Sequence, residues 1–415
     1  MPAQPSRRAA GPTRRRLIAA GAAAATGMLL GAAAPVPGRR AARPQLRGLW
    51  AASVNNADWP SKPGLSADVQ RNELTGILDM AVRNRLNAVF LQVRPSADTC
   101  WPSTVEPWSK YLTGTQGRDP GWDPLGTAVT EAHRRGLQLH AWMNPYRISL
   151  DDRLEALVPA HPARRNPDWV VRYGGKLYYN PGVPEARAHV EEAVLDAVRR
   201  YPVDGLHFDD YFYPYPVKGQ RFDDEEAFAA NGDGLELADW RRRNVDLLVS
   251  EVYQRIRTVR SGTVFGVSPF GVWRNRSADE AGSATTAGVQ TFDDLYADTR
   301  SWIRQGWIDY IAPQLYWPIG FKAADYATLV EWWSRQVDGT EVALHIGEAV
   351  YRAGDPAQGA AWQDPAELSR HLTLCARYPQ VKGNIHYNAS AVLRNRIGAF
   401  AGLVKDHYQQ SAPAV

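Results

Sequence analysis

Cysteine is nearly absent, with two in 415 residues, so a disulfide scaffold or a cysteine-rich metal cluster cannot organise this chain. Cys100 falls in an expected loop and Cys375 in an expected helix, and no bridge between them is expected. Neither lies near a cleavage site, which excludes a lipoprotein anchor. Acidic residues and lysine are absent from positions 1–46, which hold eight arginines. Taking those eight from the 48 basic side chains leaves 40 against 44 acidic ones, so the rest of the chain is mildly acidic. A nucleic-acid binder keeps its basic patch in the folded part, and nucleic acid is therefore not an expected partner. Several motifs are also missing: His-Glu-x-x-His, a Walker loop, Gly-x-Ser-x-Gly, and a Gly-rich loop after the first strand. Their absence removes the zinc-protease, nucleotide-dependent and serine-hydrolase readings.

The first 46 residues read as an export signal. Thr13-Arg14-Arg15-Arg16-Leu17 precedes an Ala/Gly run from Ile18 to Ala34 and then Pro35-Val36-Pro37. Paired arginines before a mild apolar stretch fit a twin-arginine signal, with a Sec signal as the alternative. The run is too poor in leucine for a permanent membrane span, so membrane contact is expected only through the leader. The product is expected outside the cytoplasm, in the extracellular, periplasmic or wall space.

From Arg47 to Tyr408 the chain alternates β-type and helical runs, leaving 409–415 as a short tail. Strands are expected at Gly48–Val54, Ala88–Val93, Gln138–Met143, Gly205–Asp209, Val264–Ser268, Tyr310–Leu315, Val342–Ile346 and Gly383–Tyr387. Helices are expected between them, including Phe292–Arg304, and a last one at Leu393–Tyr408. Alternation of this kind implies a parallel sheet with crossover helices. Eight units over this length predict a single α/β domain, a (β/α)8 TIM barrel with long strand-to-helix loops. Helix-to-strand links are short, whereas Arg94–Asp123, Asn144–Pro184, Asp210–Glu236 and Pro269–Thr291 are long. Long loops on one end mark the strand C-termini as the working face.

Side chains alternate along a strand, which sorts those facing the barrel interior. Leu206 and Phe208 are expected to face the helices, while His207, Asp209 and Tyr211 point inward. The same reasoning puts Gln92, Arg94, His140, Trp142, Asn144, Tyr146, Ser268, Gln314, Tyr316, His345, His386 and Asn388 inward. So many polar groups make a poor core and a good site. Trp59, Trp101, Trp108, Trp122, Trp169, Trp273 and Trp317 lie on the loops, where flat rings can meet the C–H faces of sugars. A glycan or another large polar ligand is the expected partner.

Cleavage of a glycosidic bond needs two carboxyl groups, one of them able to protonate the leaving oxygen. Asp209 is the leading candidate, with Asp210 or Glu348 as its partner; Asp58 and Asp98 are further carboxylates expected on that face. Crowded like charges raise one pKa, which suits an acid that holds its proton near neutrality. Arg94, Asn144, Tyr146, His207, Tyr211, Gln314, Tyr316, Trp317, His345 and Asn388 are the candidates for holding the substrate. Four of the nine histidines, His140, His207, His345 and His386, fall on expected strands. A metal-dependent hydrolase therefore stays as the lesser alternative, although strand one carries no His-x-His. No metal ligand set or cofactor is expected, and the chain is expected to be a monomer. A carbohydrate-binding barrel without a working acid pair is the alternative from outside enzymology.

Arg47-Gly-Leu-Trp50, Asn87-Ala-Val-Phe-Leu-Gln-Val-Arg-Pro95, Trp142-Met-Asn-Pro-Tyr-Arg147, Asp204-Gly-Leu-His-Phe-Asp-Asp-Tyr-Phe-Tyr-Pro214 and Pro313-Gln-Leu-Tyr-Trp317 resemble the bacterial glycosyl hydrolase-like 10 family. The resemblance covers nearly all of Arg47 to Tyr408. It implies a (β/α)8 barrel among exported envelope proteins, with relatives that cleave peptidoglycan glycan strands stripped of stem peptides. The strand-four motif is also distantly similar to the Asp-Gly-x-Asp-x-Asp-x-Glu stretch of family 18 chitinases. There Tyr211 stands for the catalytic glutamate, so substrate-assisted cleavage does not carry over.

Overall fold

The computed structural model describes residues 45–410. Residues 1–44, nearly all of the segment read as an export signal, and residues 411–415 lie outside the described part. Eleven strands follow in chain order: β1 (Leu46–Ala51), β2 (Ala88–Arg94), β3 (Gln138–Met143), β4 (Arg147–Ser149), β5 (Val170–Tyr173), β6 (Lys176–Tyr179), β7 (Gly205–Phe208), β8 (Val264–Val267), β9 (Tyr310–Ile311), β10 (Ala343–Ala349) and β11 (Val381–Tyr387). Eight of them close a parallel barrel in the order β1-β2-β3-β7-β8-β9-β10-β11, and β11 pairs back onto β1. Helices fill the crossovers, as parallel pairing requires. This is the (β/α)8 architecture that the alternation predicts.

The helices start where side chains can accept the free N–H groups of a first turn. Ser66, Asp123 and Asp325 cap the helices Ala67–Arg83, Pro124–His133 and Tyr326–Val337. The same rule divides two helices expected to be continuous. Asp298 caps a new helix at Thr299–Gln305 after a short one at Thr291–Asp294. Asn395, at φ 42°, ends Ala389–Arg394 before a separate helix at Ala399–His407.

Two cores result. The outward faces of the strands, including Leu206, Phe208, Phe265 and Val267, pack against the helices. Leu46, Trp50, Phe90, Trp142, Tyr310 and Ile385 fill the barrel itself. Glycine at two inward positions makes room for these rings. A Cβ on Gly205 would lie 2.1 Å from His140 Nδ1, and one on Gly266 would lie 2.1 Å from Tyr310 Cζ.

The long 144–184 segment, expected as loop, carries a three-stranded antiparallel sheet in the order β4-β6-β5. Gly174 and Gly175, both at positive φ (59° and 69°), turn β5 into β6 as a two-residue hairpin connection requires.

Candidate active site

The cavity at the C-terminal ends of the barrel strands has a volume of about 280 Å³. Trp50 and Trp142 reach it from β1 and β3. Asp209, Asp210, Tyr211 and Tyr215 come from the segment after β7, and Ser268 and Phe270 from that after β8. Gln314, Tyr316 and Trp317 follow β9, Arg352 follows β10, and Tyr387 ends β11. The mouth therefore lies on the end that the loop lengths mark.

Adjacent residues on a strand point to opposite faces, so Asp209 and Asp210 can converge only where the strand stops. It does stop there. β7 ends at Phe208, whose carbonyl accepts the Ser268 N–H (2.9 Å), and both carboxyl groups beyond it line the cavity. Asp209 is 4% exposed and Asp210 7%. Trp142 Nε1 donates to Asp209 Oδ2 (3.1 Å), Asn144 Nδ2 reaches both oxygens (3.3 Å each), and the Tyr211 N–H reaches Oδ1 (3.3 Å). These donors favour the carboxylate, but burial and the neighbouring Asp210 charge oppose them and prevail, so Asp209 is pushed up to about 7. Burial also raises Asp210, against hydrogen bonds from the Tyr215 hydroxyl and Gln314 that favour its anion.

The walls are aromatic. Tyr316 stacks on Tyr387 at a centroid distance of 6.0 Å, and Trp317 meets Phe270 edge-on at 5.3 Å. Arg147, on β4, lies 5.0 Å from the Tyr211 ring and donates to the Pro95 carbonyl (2.9 Å), so the small sheet braces one side of the mouth.

Beneath the cavity a chain of hydrogen bonds crosses the barrel core and runs in one direction. An indole N–H can only donate, so His207 Nε2 accepts from Trp50 Nε1 (3.1 Å). His207 Nδ1–H then donates to Tyr310 Oη (3.0 Å), and the Tyr310 hydroxyl donates to His140 Nδ1 (3.1 Å). His140 Nε2–H is left for Gln138 Oε1 (3.3 Å). Burial holds His207 well below the ordinary histidine pKa and His140 at about 3, so the chain stays uncharged. It fixes the Trp50 ring in the wall.

Six expected site residues meet at the cavity: Asp209, Asp210, Tyr211, Gln314, Tyr316 and Trp317. Asn144 stands behind Asp209 as a donor. The others lie elsewhere. Arg94 is fully buried between Glu106 and the Asn144 and Pro145 carbonyls. Tyr146 belongs to the outer core. His207 and His345 fill the barrel below the mouth, and Asn388 caps the helix Ala389–Arg394. His386 faces outward onto Tyr408 (2.9 Å). His140, His207 and His345 gather around the Tyr310 ring inside the barrel while His386 lies apart, and among the described residues no group of three or more His, Cys, Asp or Glu could hold a metal ion.

Glu348 is the largest correction. Its parity is opposite to that of His345, three residues earlier, so it points out of the barrel. There it accepts from Tyr326 Oη (2.6 Å), Asn384 Nδ2 (2.8 Å) and His371 Nδ1 (2.9 Å) behind the wall. Burial opposes a charge on His371, but Glu348 and Glu367 outweigh it and raise the imidazole above its ordinary 6.5. Such a pair stabilises fully below the unfolded pKa and is lost as pH rises through the folded one. Glu348→Gln is expected to leave kcat near wild type while lowering unfolding free energy by about 1–3 kcal/mol at pH 6. Urea titrations at pH 6 and pH 9 check this, and a large kcat loss at full stability would return Glu348 to the chemistry. Asp58 and Asp98 are structural too: Asp58 accepts the Ala52 and Ser390 N–H groups (2.7 and 2.8 Å), and Asp98 is buried beside Lys110 N. Most loop tryptophans pin loops, as when Trp101 Nε1 donates to Asp196 (2.9 Å) and Trp59 Nε1 to the Gln70 carbonyl (2.8 Å).

The alternation missed Trp50, Tyr215, Phe270, Arg352 and Tyr387. Trp50 and Tyr387 had a usable signal, because each shares the inward parity of its strand; Tyr215, Phe270 and Arg352 lie on loops where no period applies.

Comparison with known proteins agrees with this architecture. The barrel superimposes on the PgaB (BpsB) glycoside hydrolase domain from Bordetella bronchiseptica with a TM-score of 0.61 at 16% identity, over 89% of this chain and all of that one. It superimposes on the β-amylase catalytic domain of Paenibacillus polymyxa with a TM-score of 0.55 at 10% identity, with the same coverage. At these identities the likeness is one of fold. In sequence, the chain is 47% identical to the glycosyl hydrolase YngK of Bacillus subtilis (strain 168) over 89% of its length and 72% of that protein. It is 40% identical to the glycosyl hydrolase DigH of Escherichia coli (strain K12) over 86% and 85%. The profile of the glycosyl hydrolase-like 10 family matches residues 45–364, and the chain belongs to that family and is a glycoside hydrolase.

Proposed function

We propose that this glycoside hydrolase is exported and cleaves the glycan strands of a cell wall, using Asp209 as acid and Asp210 as its ionised partner. The observation that carries the reading is the buried carboxyl pair in one aromatic-walled cavity. Tyr215 and Gln314 donate to Asp210 and favour its anion, and that charge helps keep the proton on Asp209. A protonated Asp209 can deliver its proton to the glycosidic oxygen. The Asp210 carboxylate then meets the positive charge at the anomeric carbon, either directly or through a water it activates. Tyr316, Trp317, Trp50 and Trp142 offer flat faces to the sugar rings on either side of the bond.

Purified, peptide-free glycan strands test this directly. Wild type is expected to release saccharides that mass spectrometry identifies. Tight retention of the strands without products would instead make the barrel a carbohydrate-binding protein, and loss of activity with a chelator would revive a metal-dependent reaction.

The leader supports the location. Replacing Arg14 and Arg15 together by lysine is expected to leave precursor in the cytoplasm, seen by immunoblot of cell fractions. Unimpaired export of the double variant would assign the route to Sec.

A further inference from the structure

Arg352 is the one cation among the described residues lining the cavity. It sits on the single turn Val350–Arg352 that follows β10 and is half-buried. Its Nε donates to Tyr351 Oη (3.0 Å) and its Nη1 to Gln358 Oε1 (3.0 Å). Tyr351 in turn packs edge-on against Tyr316 at 5.9 Å and Tyr387 at 5.7 Å, both of them cavity residues. The guanidinium is therefore held in a set direction, while its Nη2 has no hydrogen-bond partner and the group forms no ion pair with any described carboxylate.

Arg352 is partly exposed, and filling this cavity with sugar would take the fork out of solvent. A neutral sugar could accept from Nη2 through a hydroxyl or amide oxygen but would leave the guanidinium charge out of water without a counter-charge, and that loss weakens binding. An anionic sugar faces the opposite difficulty, repulsion from the ionised Asp210; Arg147 lies behind the aspartates and lowers both pKa values, and Arg352 is the cation in the cavity lining itself that offsets the repulsion. The two demands agree on one ligand chemistry. The end of a guanidinium matches a carboxylate with two parallel N–H···O bonds.

We propose that Arg352 is a specificity residue that binds a free carboxylate on the sugar next to the bond that is cut. This deepens the hydrolase reading and rests on it. Two chemical sources fit: a lactyl ether carboxylate, free on a wall glycan only where no peptide is attached, and the carboxylate of a uronic acid.

The test uses matched probes. Peptide-free peptidoglycan strands and a polymer of alternating glucuronate and amino sugar are each compared with their methylamide form, in which the carboxyl is neutral. Wild type is expected to prefer the acid form of one of them by about 10–100-fold in kcat/KM, carried by KM. Arg352→Met is expected to remove the preference, so that the ratio of kcat/KM for the acid and methylamide forms falls to about one, and Arg352→Lys to keep part of it. The polymer that shows the preference identifies the source. Equal cleavage of acid and amide forms by wild type, or an unchanged preference in Arg352→Met, would overturn the proposal and leave the hydrolase reading standing. Calorimetric binding of the same probes covers the opposite case. An acid preference in binding that Arg352→Met abolishes, with no cleavage of any probe, would sink the wall-glycan substrate proposed above and keep the carboxylate site; no preference in binding or cleavage overturns it.

Discussion

Asp209→Asn is expected to lower kcat on peptide-free glycan strands on the order of 10²–10⁴-fold, the usual worth of a positioned general acid. The amide keeps the shape of the side chain and can still accept from Trp142 Nε1, so KM and stability should change little. The pH profile carries more information than the loss itself. With Asp209 at about 7, the protonated acid is present below that pH, and kcat/KM should fall as pH rises through it. Asp210 must be ionised, so its titration sets the acidic limb, and the pair gives a bell. Tyr215→Phe removes a hydroxyl that lowers the Asp210 pKa, so the acidic limb should move to higher pH. A limb that moves the other way, or an Asp209→Asn variant with more than a tenth of wild-type activity, would refute the assignment.

How much of this was legible in the sequence depended on whether polarity and parity agreed. In β7 they do: Leu206 and Phe208 face the helices, and His207 and Asp209 face inward. Parity thus accounts for the position of Asp209, whereas Asp210 reaches the cavity only because β7 stops at Phe208. In β11 they conflict. Asn384 and His386 are polar yet point at the helices, where they meet Glu348 and Tyr408, while Ile385 fills the barrel. A reading that sends polar residues inward inverts such a strand and loses Tyr387. In β10 the inward His345 and Gly347 leave Glu348 outside, and the buried pair with His371 that stabilises it there depends on a helix remote in sequence. No local pattern reports that kind of satisfaction.

Gly174-Gly175 between Val-Val-Arg-Tyr and Lys-Leu-Tyr-Tyr is by contrast a local hairpin signal, and it was available in the sequence. The small sheet lies within one strand-to-helix connection, outside the alternation that marks the barrel strands. Arg94 shows a further limit. Its inward parity suggested a substrate contact, but Glu106, twelve residues on, folds back to meet it inside the wall.

That pair sets the largest expected effect on stability. Both side chains have no solvent exposure, and the contacts are bidentate, at 2.7 and 2.6 Å. Burial would raise the Glu106 pKa, but Arg94 and then His189 overcome it and hold the carboxyl well below the usual range. Breaking a buried pair leaves an uncompensated charge, which costs about 3–5 kcal/mol. Glu106→Gln should therefore lower unfolding free energy by about that amount at pH 7. Because the folded pKa is depressed, the contribution is fully present above the ordinary 4.5 and is lost as pH falls below it. The gap between wild type and Glu106→Gln should close in acid. The double variant Arg94→Met/Glu106→Met removes both charges and should be more stable than Glu106→Gln alone. Activity tells the two roles of Arg94 apart. Its guanidinium also holds the Asn144 and Pro145 carbonyls, and Asn144 Nδ2 donates to Asp209. A stable double variant should therefore still lose kcat, because Asn144 is no longer fixed against the acid. Full activity in that variant would reduce Arg94 to packing, and a double variant less stable than Glu106→Gln would remove the ion pair as the cause.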